Sequence, residues 1–254
     1  MKKLTYIILL LLTANLTIAQ EATEIVRRAY LKIQGSSQYA QLTMQIIRPK
    51  WTKTFKFKYA SKGENKALLL ITSPEKEKGQ AFLFLDNKIW LYNPKIKTVI
   101  KLGAAMMTQK WLSSDASNDL IMNKASMINN YNAKILGNET VNNLNCWKIE
   151  LTPKKDYEDI TWAKQLLWID KINYLIMKTQ FYDEDDQLVS TETAYNIKNF
   201  HGKKIPSKYV IQPANKPNQK TILIIDDIIF NVKIPNNFFT IQNLRRGNNI
   251  NFNF

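Results

Sequence analysis

The sequence predicts a mainly β protein with a few helices, built as one domain of about eleven antiparallel strands. Apolar and polar residues alternate with a period of two over most of the chain, which is the pattern of half-buried strands. The alternating segments are short and recur about every twelve residues between turn residues, which favours an antiparallel sheet or barrel. No linker rich in Gly, Pro or Ser and no internal repeat divides the 254 residues.

The first nineteen residues have the pattern of a cleavable signal peptide. Lys2 and Lys3 precede an apolar run at 4–12, and small residues stand just before Gln20. The run is shorter than the ~20 residues of a membrane-spanning helix, and no Cys follows it that could carry a lipid anchor. We therefore expect that residues 1–19 are removed and that residues 20–254 form a soluble periplasmic domain without a lipid anchor.

The first half of this domain is predicted to be one helix followed by six strands. Ile25, Ala29 and Ile33 recur at helical spacing between 21 and 34, and Gly35 supplies a stop. From residue 42 the period changes to two, and Asp86 with the two residues after it marks a hairpin turn. The predicted strands of this half are 42–46, 51–59, 67–72, 81–85, 89–92 and 98–102.

Alternation stops between 103 and 130, where we predict one or two short helices inserted between two blocks of strands. Four of the six methionines outside Met1 lie in this insertion. Because Met is flexible and polarizable, the insertion suits a lid that repacks around varied apolar ligands. A simpler alternative, in which these methionines plug the end of an ordinary core, stays open.

Strands are predicted again after the insertion, with the acidic run at 183–186 as a hairpin tip. A short helical turn is expected at 235–239, and the Asn-rich tail up to Phe254 is expected to fray. The predicted strands of this half are 132–137, 145–152, 164–170, 174–182, 188–197, 207–212 and 221–230.

The charge of the chain is strongly basic, but its composition does not favour nucleic acid as a partner. The formal net charge is +15, from 36 Lys and Arg against 21 Asp and Glu. Only five of the basic residues are Arg, whose planar fork matches phosphate and guanine. Lys, Asn and Ile are abundant together, with 26 Asn, which indicates a compositional drift rather than a functional basic patch.

Residues that could carry catalysis or hold a metal are few. The single His, His201, lies in a turn beside Gly202, and the single Cys, Cys146, lies in an alternating run that predicts a buried structural thiol. Zinc is not expected from one His and one Cys, and the acidic run at 183–186 lacks the ligand spacing of a calcium loop. We expect no catalytic residue, no metal and no cofactor, although a pair of carboxylates distant in sequence stays open.

Apolar residues are more abundant than one face of a sheet requires. The segment 81–85 (AFLFL) is apolar on both faces, so both faces must be covered. A concave apolar sheet under a movable lid would shield acyl chains from water, at ~0.8 kcal/mol per buried methylene. The predicted cavity residues are Trp51, Phe55, Phe57, Leu69, Phe82, Phe84, Trp90, Tyr92 and Trp168, and the predicted lid residues are Met106, Met107, Trp111, Leu120 and Met122.

A series of short motifs resembles the outer-membrane lipoprotein-sorting protein family, which has the LolA/LolB-like fold of periplasmic lipoprotein carriers. The strand and turn WLYNP at 90–94 carries the resemblance first, and the other motifs follow with matching order and spacing over nearly all of the domain. They are RPKWT at 48–52, TSP at 72–74, KG at 78–79, MMTQ at 106–109, SD at 114–115, NDL at 118–120, LGNE at 136–139, LWID at 167–170, YDED at 182–185 and IP at 205–206.

The resemblance implies a strongly curved, unclosed antiparallel β-barrel capped by helices, with an apolar inside for acyl chains. Its function would be that of a non-catalytic chaperone that moves lipoproteins or other lipids toward the outer membrane. The implied partners are lipoprotein acyl chains or phospholipid, an inner-membrane transporter and an outer-membrane acceptor, and a monomer is expected. By motif, Trp90 and Tyr92 belong to the sheet, and Met106, Met107 and Trp111 to the cap. The Arg-Pro that the carriers use for lid closure has no counterpart at 59–65, which holds Lys62 instead.

Three other interpretations stay open. An outer-membrane β-barrel would explain the alternation of Ile250, Phe252 and Phe254 with Asn at the end of the chain, but the segments 21–34 and 103–130 do not suit membrane strands. A periplasmic lipid hydrolase would need His201 or a carboxylate pair in the cavity. A lipid-sensing signalling or scaffold module would use the same fold and would need a stable protein partner.

Overall fold

The computed structural model describes residues 20–86, 88–103, 109–116, 130–155 and 162–254. The predicted signal peptide and the predicted lid residues Met106, Met107, Leu120 and Met122 lie outside the described residues. No described helix combines the length and the apolar character needed to cross a membrane.

One helix, α1 (20–33), precedes the strands, and a four-residue helix, α2 (Ile241–Leu244), follows them. The sheet has thirteen strands rather than about eleven, because every alternating segment forms a strand of its own. The strands are β1 (Ser37–Arg48), β2 (Trp51–Lys62), β3 (Lys66–Ser73), β4 (Ala81–Leu85), β5 (Lys88–Asn93), β6 (Thr98–Leu102), β7 (Tyr131–Val141), β8 (Leu144–Pro153), β9 (Lys164–Asp170), β10 (Ile176–Tyr182), β11 (Leu188–Phe200), β12 (Lys203–Pro213) and β13 (Lys220–Phe230).

The strands form one curved sheet that does not close on itself. Its order is β6-β5-β4-β3-β2-β1-β13-β12-β11-β10-β9-β8-β7, with every described pairing antiparallel. Two meanders, β1–β6 and β7–β13, meet where β1 pairs with β13, and β6 and β7 remain at the two edges. The predicted unclosed antiparallel sheet is confirmed.

Strand register divides the side chains into two faces. Met44 of β1 lies opposite Phe55 of β2, and Leu69 of β3 lies opposite Phe82 of β4. Leu69 also lies opposite Tyr59, which is on the same face of β2 as Phe55, so the two pairs share a face. The same face continues through β13, β12, β11 and β10 to Leu167 of β9. We call it the inner face, and the opposite side the outer face.

Helix α1 shows that the sheet curls around the inner face. Its apolar side, which includes Ala29, packs with Leu167 in one buried cluster. Ile33, at the end of the same helix, packs against a second buried cluster to which Tyr59 of β2 also packs. Strands β9 and β2 are six places apart in the sheet, or ~29 Å if it were flat, so only a strongly curved sheet lets one helix reach both.

The outer face of β2–β5 is covered by the C-terminal segment, residues 232–254. Leu68, Leu83 and Tyr92 of the sheet pack there against apolar side chains of the segment. The expectation that the tail frays was wrong, because Ile250 and Phe252 are only 6% and 5% exposed. Their alternation with Asn directs one side of the tail onto the sheet. The side chains that the segment contributes are Ile234, Phe238, Phe239, Leu244, Ile250 and Phe252.

Candidate functional site

The inner face of β1–β5 carries a continuous apolar surface. Phe55 and Phe57 follow each other on this face of β2, and their rings stack with centroids 5.9 Å apart. Leu69, Phe82 and Phe84 of the two next strands belong to the same buried cluster. Five of the nine predicted cavity residues therefore share this surface. Their neighbours in it are Met44, Ile46, Ala67, Ile71, Ile89 and Leu102.

Trp111 covers this apolar surface from the inside of the curved sheet. Its ring centroid lies 5.1 Å from that of Phe57 and 5.7 Å from that of Phe82, and 2% of the residue is exposed. It begins a 3-10 turn in the short described stretch 109–116, which we call the cap segment. The buried indole Nε1–H has no acceptor among the described residues, which is an uncommon and unfavourable state for a buried donor.

A small apolar cavity remains between Trp111 and the sheet. Its volume is about 60 Å³. Tyr59 supplies the one hydroxyl of the lining, and burial raises the pKa of that hydroxyl. Ligand pockets usually measure at least ~300 Å³, so this space has to grow before it can hold an acyl chain. The lining residues are Ala40, Leu42, Phe57, Tyr59, Leu69, Trp111, Leu223 and Ile228.

Arg48, at the end of β1, ties the cap segment to the sheet. Its two guanidinium nitrogens, Nη1 and Nη2, lie 2.9 and 3.1 Å from the two carboxylate oxygens of Asp115. Nη2 also donates to the carbonyl of Ser113 at 3.0 Å, and the Thr221 hydroxyl donates to Asp115 at 2.8 Å. The side chains of Arg48 and Asp115 are 10% and 1% exposed, so this is a buried ion pair.

In the sequence, Arg48 is part of the RPKWT motif. The region 59–65, where the resemblance implies an arginine for lid closure, lies one strand later and holds Lys62 instead. The structure brings Arg48 onto the cap segment from the preceding strand, across 67 residues of sequence. The one available signal was the Arg-Pro pair at 48–49, which ends β1 at the same end of the sheet as the cap segment.

Of the nine predicted cavity residues, Phe57 and Leu69 line this cavity, and the four that remain outside the inner apolar surface are Trp51, Trp90, Tyr92 and Trp168. Trp90 and Tyr92 of β5 point to the outer face, under the C-terminal segment. Trp168 also points outward, where its Nε1–H donates to Glu139 at 2.7 Å. Trp51 stands at the turn between β1 and β2 and is 48% exposed. Because both faces of β4 and β5 are apolar, the sequence alone could not tell which face lies inside. A lipid-binding role for these residues stays a prediction.

The groups that could support hydrolysis do not line this cavity. His201 is exposed in the turn after β11, as expected, with its Nε2 3.2 Å from an Asp227 oxygen. Cys146 is buried and free, which confirms the predicted structural thiol, and burial raises its pKa to about 11. Among the described residues, no three His, Cys, Asp or Glu side chains come together as a metal site would require.

Comparison with known proteins identifies relatives of this chain. A protein-family model described as "-like: Uncharacterized protein" matches residues 63–246. No curated protein matches the chain.

Solved structures match the fold over almost their whole length. A DUF1329 family protein from Desulfovibrio piger has a TM-score of 0.82 at 21% identity, covering 89% of this chain and 99% of that one. A domain described as an outer membrane lipoprotein-sorting protein, from Vibrio parahaemolyticus, has a TM-score of 0.80 at 22% identity, with coverages of 90% and 100%. A LolA superfamily protein from Nitrosomonas europaea has a TM-score of 0.73 at 25% identity, with coverages of 86% and 97%. The resemblance to LolA-like proteins is thus confirmed at the level of the fold.

Proposed function

The chain belongs to the family defined by the model that matches residues 63–246 and has the LolA-type fold, and from this premise we propose that it is a non-catalytic carrier of acyl chains. The chains would belong to lipoproteins or to other lipids, and they would lie on the inner face beneath Trp111. The observation that carries this proposal is a buried apolar surface that, among the described residues, is covered by the cap segment, where the Nε1–H of Trp111 is unsatisfied.

Binding would require Trp111 to leave its place. A buried Trp covers ~150–250 Å² of surface, which corresponds to ~4–6 kcal/mol at 25 cal/mol per Å². Each methylene that replaces it recovers ~0.8 kcal/mol, so five to eight methylenes offset the loss. Acyl chains longer than about eight carbons should therefore bind, and chains of about six carbons should not.

The cellular role follows from the fold and the predicted leader. We propose that the protein works in the periplasm and moves its cargo toward the outer membrane. The LolA superfamily relative and the relative described as a lipoprotein-sorting protein support this direction. An inner-membrane transporter would supply the cargo and an outer-membrane acceptor would receive it.

A series of fatty acids of increasing length tests the proposal directly. The protein, purified without detergent, is titrated with saturated acids of 6 to 16 carbons, and binding is followed by native mass spectrometry and by displacement of an environment-sensitive lipid probe. We expect binding to begin near eight to ten carbons and to strengthen with length, by the estimate of ~0.8 kcal/mol per methylene.

Variants at two tryptophans distinguish binding in the cavity from nonspecific hydrophobic binding. Trp111→Ala removes the cover, so shorter acids should bind than bind to the wild type. Trp90→Ala, on the outer face, should leave the length threshold unchanged. His201→Ala should not alter binding either, because His201 is exposed in a turn and is not among the residues that line the cavity. If no acid of any length binds to the wild type, the carrier proposal fails.

A further inference from the structure

Three neighbouring hairpin turns form one surface at the end of the sheet. They are the β1–β2, β3–β4 and β5–β6 turns, and we call their surface the basic rim. Lys53 in the first turn region bridges to Glu77 in the second, with Nζ 3.2 Å from Oε1. A groove lined by residues of the second and third turns, including Lys76 and Lys95, joins these two. The rim is therefore continuous across six strands.

The rim carries lysines that its own carboxylates do not neutralise. Glu75 pairs with Lys78 at 3.0 Å, and Glu77 pairs with Lys53, so both acidic residues of the second turn are already in ion pairs. Four exposed lysines are left over, and none of their side chains forms an ion pair within the described part of the chain. They are Lys50, Lys76, Lys95 and Lys97.

Two large apolar side chains project from the same rim. Trp51 in the first turn is 48% exposed, and Ile96 in the third turn is 59% exposed between Lys95 and Lys97. A single exposed apolar residue is ordinary, but here both exposed apolar residues adjoin lysines that form no described ion pair. Trp prefers the interface between headgroups and acyl chains, and lysines near a bilayer are drawn to anionic headgroups.

We propose that the basic rim docks the protein onto a lipid bilayer that contains anionic headgroups. Trp51 and Ile96 would enter the interface, and the four free lysines would contact headgroups. Apolar anchors flanked by lysines fit a bilayer better than an acidic protein, since lysines are depleted at the core of protein interfaces, whereas Trp and Lys both suit the membrane interface. The acidic tip at 183–186 lies at the same end of the sheet on the other half, so repulsion would tilt the molecule toward β1–β6.

Docking of this kind goes beyond the proposed carrier function and does not depend on it. It would also set the orientation of the site. Arg48 belongs to the first turn of the rim and pairs with Asp115 of the cap segment, so the cap segment lies next to the docking surface. The inner face would then meet the membrane at the end where Trp111 covers it.

Vesicle co-sedimentation tests the proposal with matched charge changes. The wild type is mixed with phosphatidylcholine vesicles with and without phosphatidylglycerol, at low and at physiological salt. We expect binding only to the anionic vesicles, weakening as salt rises. The rim variant carries Lys50→Gln, Lys76→Gln, Lys95→Gln and Lys97→Gln. Each lysine near the surface strengthens binding by about fivefold or less, so the variant should bind at least tenfold more weakly than the wild type.

The control variant has the same net charge but is changed at the opposite end of the sheet. It carries Lys88→Gln, Lys198→Gln, Lys204→Gln and Lys233→Gln, all at exposed positions, and should bind within about twofold of the wild type. Ile96→Ser should also weaken binding, whereas Ile172→Ser should not, although Ile172 is 83% exposed in the turn after β9. Equal thermal unfolding temperatures would show that each variant is folded.

The outcomes separate this proposal from its alternatives. Equal losses in the rim and control variants would show attraction by net charge alone and would overturn it. Absence of wild-type binding to any vesicle would also overturn it, and an acidic protein would then be the partner to seek. Neither result would test the carrier proposal, because fatty-acid binding is measured without vesicles.

Discussion

Arg48→Met should release the cap segment without unfolding the sheet. Arg48 and Asp115 form a two-pronged ion pair from which solvent is almost excluded. Met is shorter than Arg and uncharged, so it keeps the packing of the apolar stem but leaves the Asp115 carboxylate buried with only Thr221 to donate to its side chain. That carboxylate regains its hydration only if the cap segment moves away from the sheet.

The size of the effect follows from two opposing contributions. Breaking one side of a buried ion pair costs ~3–5 kcal/mol, because the remaining charge is uncompensated. Burial of Trp111 holds the cap segment in place with ~4–6 kcal/mol. The two are of similar size, so the closed cap should become only marginally favourable. If local opening becomes easier by ~3 kcal/mol, amide exchange in the segment should accelerate by about two orders of magnitude.

Hydrogen exchange followed by mass spectrometry measures this opening locally. Three cap amides are informative, since Trp111 N donates to Ala116 at 2.8 Å, Ser114 N donates to Trp111 at 2.8 Å, and Asp115 N donates to Thr221 at 2.9 Å. Their protection should fall, whereas amides of β1–β3 should keep theirs. A double variant, Arg48→Met with Asp115→Leu, removes both charges and should recover part of the protection.

The matched control is Arg27→Met, which breaks an ion pair with Glu24 on the exposed side of α1. It should leave exchange of the cap segment unchanged. Uniform loss of protection over the whole sheet in Arg48→Met would mean that the pair supports the global fold rather than the cap. Unchanged protection at the three cap amides would show that Arg48 does not hold the segment at all. Either result would refute this reasoning.

Three further changes have definite expected outcomes. Gly247→Ala should lower the unfolding midpoint in urea markedly, because the new Cβ would lie 2.9 Å from the Tyr92 ring and the residue has a φ of +51°. The control Gly202→Ala should lower the midpoint less, because its φ is +91° but no atom lies within 4 Å of the new Cβ. Cys146 should resist a thiol reagent at pH 8 until urea unfolds the protein, since a pKa of about 11 leaves about one thiolate in a thousand. Phe252→Ala should destabilise the protein by ~3–5 kcal/mol, measured by the same urea titration, and no loss would contradict the packing of the tail.

Local alternation was enough to predict the strands but not their two faces. Every alternating segment is a strand, because side chains on a strand alternate between faces whatever the rest of the chain does. In β4, however, Phe82 faces inward and Leu83 outward, and both are buried. The sequence gives no sign of which side is concave, because curvature arises from the whole sheet and from α1 packed inside it.

Contacts between distant segments explain the remaining differences. The alternation at Ile250 and Phe252 was recognised, but a tail that packs on an outer face and a strand at the end of a barrel have the same pattern. The pairing of Arg48 with Asp115 joins the end of β1 to a segment 67 residues later, and no local spacing encodes it. Likewise, Trp51 and Ile96 gain significance only because three turns are adjacent in space.

The two apolar faces of β2–β5 are covered by segments of very different size. We expect the smaller cover to be the one that a ligand can displace. Six side chains of the C-terminal segment cover the outer face, and at ~1.5–3 kcal/mol each their burial amounts to ~9–18 kcal/mol as an upper estimate. Among the described residues, Trp111 and Leu112 of the cap segment pack against the inner surface; the burial of Trp111 contributes ~4–6 kcal/mol, and one ion pair holds the segment. We therefore expect a ligand that competes for apolar surface to displace the inner cover first, while the outer cover preserves the fold.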